Sequence, residues 1–418
     1  MAGRSRRQRP PLPDGPYLIV GLARSGIAAA RMLAAHGQVL AVDSGRPDVP
    51  ADLDARLESD GLDLLERAAC VVKSPGVPNE APVIARARQL GLPVVGELEL
   101  AWRLLPNRFV AVTGTNGKTT TVELLGAIWR AAGLPVAVAG NVGKPLSALV
   151  GEVGADATIV CEVSSFQAED AVSLAPDVGV LLNLTPDHLD RHGSFDAYRD
   201  AKLSLFARQA PDQLAIAPDW IELPGEGRRV ALGEPPLPAD EIRLRGPHNL
   251  ENARAAATAA LAAGVPGEAV ADALRSFAGV PNRLEEVGTV DGVLYVNDSK
   301  ATNVSAAARA IESFFAGVHV ILGGSLKGGG FEGLREPVAE RCHACYLIGE
   351  AADRLAIDLA PAGVPLHRCG DLESAVAAAR SAARPGEVVL LSPACASYDQ
   401  FRDYEERGDR FRALVSPE

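Results

Sequence analysis

The stretch FVAVTGTNGKTT, Phe109 to Thr120, decides the fold. FVAVT reads as a short apolar strand, GTNGKTT follows it without a linker, and a helical pattern then runs to a stop at Gly133. A glycine-rich turn from strand to helix aims backbone N–H groups at a phosphate, and the helix N-terminus adds its positive end. Gly114, Thr115, Asn116, Gly117 and Thr120 would form that cradle, Lys118 would lie over the β and γ phosphates of ATP, and the Thr119 hydroxyl would ligate Mg²⁺. The general Walker A spacing asks for glycine where this chain has Val112. A plain glycine turn is the alternative, and the complete strand, turn and helix context favours phosphate.

Outward from this stretch, short apolar runs alternate with Ala/Leu/Arg segments of helical period, the signature of βα units around a largely parallel sheet. The fold class is therefore α/β. Residues 1–16 hold four arginines and four prolines with no apolar period and are expected to form a disordered basic tail. Three blocks follow: 17–104, opening with YLIV; 105–280, opening with the phosphate-loop strand and ending in an alanine-rich helix; and 281–418, with runs at VLYVN, VHVILGG and EVVLLSP. Leu104 to Asn107 is expected to be a linker.

A chain of 418 residues, 47% apolar, suits two or three domains with real cores. Its net charge of −12 argues against a nucleic-acid partner. No apolar run is long enough for a membrane span and no apolar segment follows the basic start, which points to a soluble cytoplasmic protein. Six cysteines scattered along the chain fit a reducing compartment. Of 41 basic residues only six are lysine (Lys73, Lys118, Lys144, Lys202, Lys300, Lys327), leaving 35 arginines. A lysine that persists against this bias marks a position needing a compact or titratable amine.

Further motifs sit where strands end. CEVSSFQ places Glu162 after one apolar run and LLNLTPDHLDRHG places His188 after the next, so both can meet Thr119 at the carboxyl edge of a sheet. Lys202, in YRDAKLSLF, is either a solvated cation or a neutral amine that takes up CO₂ as a carbamate. GPHNLENARAA sets Asn249 and Asn252 on one helix face, as caps or as adenine partners. NDSKATN, GGSLKGGG with Lys327, and SPACASYDQFRDYEERG with Ser397 are anion-friendly turns, or ordinary ones. IVGLARSG lacks the middle glycine of a dinucleotide turn, and Asp43 ends the following strand. The lone CHAC unit of Cys342, His343 and Cys345 has no second pair and does not read as a zinc site.

Together TGTNGKTT, GNVGKPL, EVSSFQ, LNLTPDHLDRH, the YRDAK lysine, GPHNLENARAA, NDSKATN and SPACASYDQFRDYEERG resemble the Mur ligase family over the whole length after the tail. The last two motifs resemble the branch that joins D-glutamate to UDP-N-acetylmuramoyl-L-alanine. The resemblance implies a Rossmann-like N-terminal domain for the UDP-substrate, a central ATPase domain and a Rossmann-like C-terminal domain that admits the amino acid. It implies ATP-dependent amide formation through an acyl phosphate, with two Mg²⁺ ions, N6-carboxylysine at Lys202, and a monomer. Lys118, His188 and Lys202 would be catalytic; Thr119 and Glu162 would hold one ion, His188 and Lys202 the other. Arg24, Ser25, Asp43, Ser44, Gly76, Asn141, Ser164 and His188 would contact the UDP-substrate. Asn252, Arg283 and Asp298 would address ATP, and Lys300, Thr302, Lys327, Ser397 and Tyr404 D-glutamate. Lys73 and Lys144 receive no role. Ala23 and Asn282, the latter where the family usually has histidine, depart from the pattern. A nicotinamide oxidoreductase is disfavoured by the incomplete glycine pattern, and a folylpolyglutamate synthase by the extra N-terminal block.

Overall fold

The computed structural model describes residues 9–244, 246–326 and 329–415. It contains three sheets. In spatial order the first holds Ala55–Arg56, Val39–Val42, Tyr17–Val20, Cys70–Lys73 and Val94–Gly96, all parallel. The second holds Arg228–Val230, Leu214–Ile216, Val178–Leu181, Arg108–Thr113, Thr158–Glu162 and Val136–Gly140, again all parallel. The third holds Glu285–Val290, Val293–Asn297, Val388–Leu391, Val318–Gly323, Cys342–Ile348 and Leu366–Gly370. Only the edge strand Glu285–Val290 of this sheet runs antiparallel. The central strands are apolar throughout because helices cover both faces of a parallel sheet.

The chain packs as two compact units, Met1–Ile242 with His248–Ser276, and Arg243–Pro247 with Phe277–Glu418. The first unit carries two sheets, and its core explains why they cohere. Alternation along Tyr17–Val20 sends Leu18 and Val20 to one cluster with Val71 and Ile84. It sends Tyr17 and Ile19 to another, which continues through Leu98, Leu100 and Trp102 into Phe109, Ala111 and Ile159. The helix Glu97–Leu104 lies in this shared core with even Glu97 and Glu99 buried. Their carboxylates accept from backbone N–H groups of Ser147, Ser173 and Leu174, but Glu97 Oε2 finds no partner and burial pushes the Glu97 pKa up. A buried Lys73–Asp170 pair at 2.8 Å accounts for one lysine with no assigned role.

Two connecting stretches are more tightly held than their composition suggests. The linker read at Leu104 to Asn107 joins a helix to a strand and is packed: Leu105 and Asn107 are each 2% exposed and the Asn107 amide donates to the carbonyls of Gly154 and Ala157. The expected tail falls partly on residues 1–8, outside the described residues, but residues 9–16 are held in place. Arg9 donates to the carbonyls of Trp102, Leu105 and Asn107 and stacks 4.6 Å over the Trp102 ring, while Tyr17 donates to the Pro13 carbonyl. A guanidinium that meets several carbonyls and an aromatic face is a fixed anchor.

Candidate active site

Arg108–Thr113 is central in its sheet, and its carboxyl end opens into the phosphate loop. Gly114 (φ 151°) and Gly117 (φ 82°) lie where a side chain is strained. A Cβ at Gly117 would come 2.0 Å from Asn252 Oδ1, so the loop seats directly on the Asn252 side chain. The helix Lys118–Ala131 starts there and aims its N-terminus into the turn. Gly117→Ala is expected to cost about 1–2 kcal/mol in backbone strain alone and to displace Asn252. The KM for ATP should rise about tenfold, read by initial rates against nucleotide concentration.

The loop is wired to its neighbours. Asn183 Oδ1 accepts from the N–H groups of Thr115 and Asn116 at 3.1 and 2.9 Å. Tyr198 donates to Thr115 Oγ1 at 2.9 Å. The Lys118 ammonium donates to the carbonyls of Gly114 and Thr115, and the Lys202 ammonium donates to the same Gly114 oxygen at 2.8 Å. Lys202 is 2% exposed, on the helix Phe195–Leu203. Burial, and next the Lys118 charge, pull its pKa down to about 7.

Glu162 ends the adjacent strand and is 2% exposed. Its two oxygens accept from Thr119 Oγ1 at 2.7 Å and from Asn141 Nδ2 at 3.1 Å. Ser164 then caps a short helix through a reciprocal capping box with Gln167. Its Phe166 ring packs 5.0 Å from His188 and stacks at 5.1 Å on His192. His188 sits in the left-handed region (φ 51°), and the bend turns the following LDRH turn back onto Phe166. Lys118, Asn141, Ser164, Ser165, Phe166, Asp187, His188, Tyr198 and Lys202 line one cavity of ≈ 230 Å³. Two ammonium groups, hydroxyls and a paired carboxylate at a helix N-terminus are a donor set for a triphosphate and hard cations.

On the first sheet, Arg24, Ser25, Asp43, Ser44 and Gly76 all lie just past the carboxyl ends of strands. Asp43 is already engaged: its oxygens accept from the N–H groups of Leu22 and Gly45 and so brace the turn. Gly26 cannot carry a side chain, as a Cβ would fall 1.9 Å from the Gly21 carbonyl oxygen. Arg191 ties this edge to the cavity, donating to the carbonyls of Gly76 and Val77 at 3.2 and 3.3 Å and lying 4.5 Å over Phe166.

In the second unit, Asp298 directly follows the strand Val293–Asn297 and is buried, accepting from Ser392 Oγ at 2.9 Å and from the Leu284 N–H at 3.2 Å. Burial pushes its pKa up to about 7, against the pull of Ser392, Leu284 and Arg283. Lys300 lies 4.9 Å over the Tyr404 ring, and Ser397 is buried. Thr302, two residues after Lys300, is half-buried. Lys327 lies outside the described residues. Arg407, fully buried on the Tyr404–Val415 helix, organises this group by donating to Ser299 Oγ and to the carbonyls of Ser299, Cys395 and Ala396. Arg407→Met would orphan those carbonyls and is expected to cost about 3 kcal/mol or more, measured by urea unfolding.

The middle of the chain, residues 112–222, matches the model of the Mur ligase middle domain, and residues 282–395 match the Mur ligase glutamate ligase domain. Two relatives named UDP-N-acetylmuramoylalanine–D-glutamate ligase cover nearly everything. That of Acidobacterium capsulatum is 44% identical over 95% of both chains, and that of Pelotomaculum thermopropionicum is 42% identical over 95% of this chain and 96% of its own. The chain belongs to the Mur ligase family. Solved Mur ligases share the fold at low identity. The UDP-N-acetylmuramate–alanine ligase of Thermotoga maritima aligns with a TM-score of 0.60 at 18% identity, covering 94% of this chain and 97% of its own. The Thermotoga maritima MurF ligase in complex with ADP aligns with 0.57 at 20% identity, covering 90% and 94%.

Within this Mur ligase the cavity gathers Lys118, Asn141, Ser164, His188 and Lys202, and Asn141 in turn donates to Glu162, which holds Thr119. Asn183, Arg191, His192 and Arg407 were not singled out from the sequence, although all four sit inside quoted motifs. The Asn282 departure has a local reason: φ is 63°, its Oδ1 accepts from Asn297 Nδ2 at 2.8 Å, and asparagine tolerates the left-handed region better than most residues.

Proposed function

We propose that this chain is an ATP-dependent, ADP-forming ligase that adds D-glutamate to UDP-N-acetylmuramoyl-L-alanine in the cytoplasm, working as a monomer in peptidoglycan precursor synthesis. The observation that carries the chemistry is the meeting of Lys118, His188 and Lys202 in one cavity at the carboxyl end of a parallel sheet, with the Thr119–Glu162 pair joined to its lining residue Asn141. The relatives' names supply the substrates.

The alanyl carboxylate attacks the γ-phosphate, ADP leaves, and the acyl phosphate is then opened by the D-glutamate amine with release of phosphate. The phosphate-loop amides and Lys118 hold the triphosphate and neutralise charge as it moves to the leaving ADP. Asn252 supports the loop from below. The donor set fits Mg²⁺: Thr119 and Glu162 would hold one ion, and His188 with Lys202 as its carbamate a second. When bound, such ions supply charge neutralisation across the transferring phosphate. Lys202 suits the carbamate because an amine with a pKa near 7 is partly neutral in the cell and can add CO₂ with loss of a proton. Asn141 and Ser164 orient the muramoyl-alanine end, and Arg24, Ser25, Asp43, Ser44 and Gly76 the uridine diphosphate end. Arg283 and Asp298 serve the nucleotide. Lys300, Thr302, Lys327, Ser397 and Tyr404 serve D-glutamate, with Arg407 as their positioning residue.

Phosphate release with UDP-N-acetylmuramoyl-L-alanine and a panel of L- and D-amino acids tests this reading. Release should require D-glutamate. Equal rates with L-glutamate, or with a UDP-sugar lacking alanine, would overturn it.

A further inference from the structure

At the amino ends of the third sheet, three neighbouring strands gather side chains that the ligase chemistry leaves unused. Val388–Leu391, Val318–Gly323 and Cys342–Ile348 lie side by side, with Val318 opposite both Val388 and Cys342. Glu387 precedes the first of these strands, and His319 and His343 are the second residues of the other two. The ladder slips by one between Val318 and His319, so His319 faces Ala344 and His343 is left over in the register. Such a bulge re-aims the extra residue's side chain. Here it brings His343 Nδ1 to 2.9 Å from Glu387 Oε1, while His319 Nε2 lies 3.0 Å from Oε2. One ligand atom from each residue lies within 4.8 Å of the others, and the two imidazoles stand at 88°.

The surroundings match those of a metal ligand set. The second ring nitrogen of His319, Nδ1, is 3.0 Å from the buried Tyr346 hydroxyl, which can take the place of the carboxylate, carbonyl or water that usually fixes a ligating imidazole. His343 is 54% exposed along its side chain, which gives an entry path and a free fourth position. Tetrahedral zinc holds its nitrogen and oxygen ligands about 3.4 Å apart, so small side-chain shifts would suffice. Cys342 and Cys345, on either side of His343, are only 7% and 0% exposed in the core and contribute no thiolate. Two imidazoles and one carboxylate with an open position suit zinc or cobalt rather than magnesium.

We propose that His319, His343 and Glu387 form a zinc-class divalent site that ties three strands of the third sheet together at the edge opposite its carboxyl ends. The site is independent of the ligase reading and serves stability.

The test uses the untagged full-length chain, stripped with a chelator and titrated with Zn²⁺ and with Co²⁺ in excess Mg²⁺, so that the oxygen sites are already taken. The wild type should bind one Zn²⁺ equivalent that His343→Ala and Glu387→Gln lack, and Co²⁺ should give a four-coordinate spectrum only in the wild type. Tyr346→Phe should keep the site with affinity weakened about 10–100-fold. Zn²⁺ should raise the Tm of the wild type but not of His343→Ala, whose ligase rate in Mg²⁺ stays unchanged. No zinc uptake, or equal uptake and equal Tm response in the wild type and both variants, would overturn the site.

Discussion

Lys202→Ala should abolish turnover at ambient CO₂, a loss of about 10³-fold or more given the several kcal/mol of charge stabilisation that a metal-holding group contributes. The amine is buried, shares the Gly114 carbonyl with Lys118, and faces the cavity that holds His188. Lys202→Arg should fail equally, because a guanidinium stays protonated and cannot form a carbamate. A short carboxylic acid should restore part of the activity of the alanine variant by standing in for the carbamate. The wild type should show an acid limb near pH 7 that moves with CO₂. A lysine with its pKa lowered to about 7 is neutral above that pH and an ammonium below it, so the reactive form is lost as pH falls. An undiminished rate in either variant would eliminate the carbamate.

Lys118→Met should lower kcat/KM about 10²–10³-fold, the usual cost of removing one preorganised donor from a developing anion. Steady-state rates against ATP check it. The same change should raise the pKa of Lys202, since the Lys118 charge is one of the two causes that lower it. The acid limb of the residual activity should therefore move to higher pH. An unchanged limb would mean that burial alone sets the lysine.

The phosphate loop, Glu162, His188 and Lys202 were legible in the sequence because each sits at a strand end or on a helix with a local signature, and parallel sheets bring such ends together. The bias toward arginine drew attention to Lys118 and Lys202, which line the cavity, yet it also marked Lys73. That residue persists for another reason: a compact ammonium fits a buried pair with Asp170. Residues that act through the third dimension left no such trace. Arg191 is informative only once the Gly76 loop lies beside it, and Arg407 only once five oxygens converge on its fork. The edge hairpin of Glu285–Val290 with Val293–Asn297 was missed although its turn, Asp291–Gly292 with φ 50° and 77°, carries the Asp-Gly signal of a two-residue hairpin. Proline and arginine in residues 9–16 read as a solvated tail, and composition alone gives no sign that Trp102 and its neighbouring carbonyls receive Arg9.

The most direct test of the phosphoryl chemistry at this cavity uses UDP-N-acetylmuramoyl-L-alanine labelled with ¹⁸O in the alanyl carboxylate, turned over with ATP and D-glutamate. One labelled oxygen should appear in the released phosphate and none in ADP. Unlabelled phosphate, or label carried on the nucleotide, would contradict attack of the carboxylate on the γ-phosphate held by Lys118.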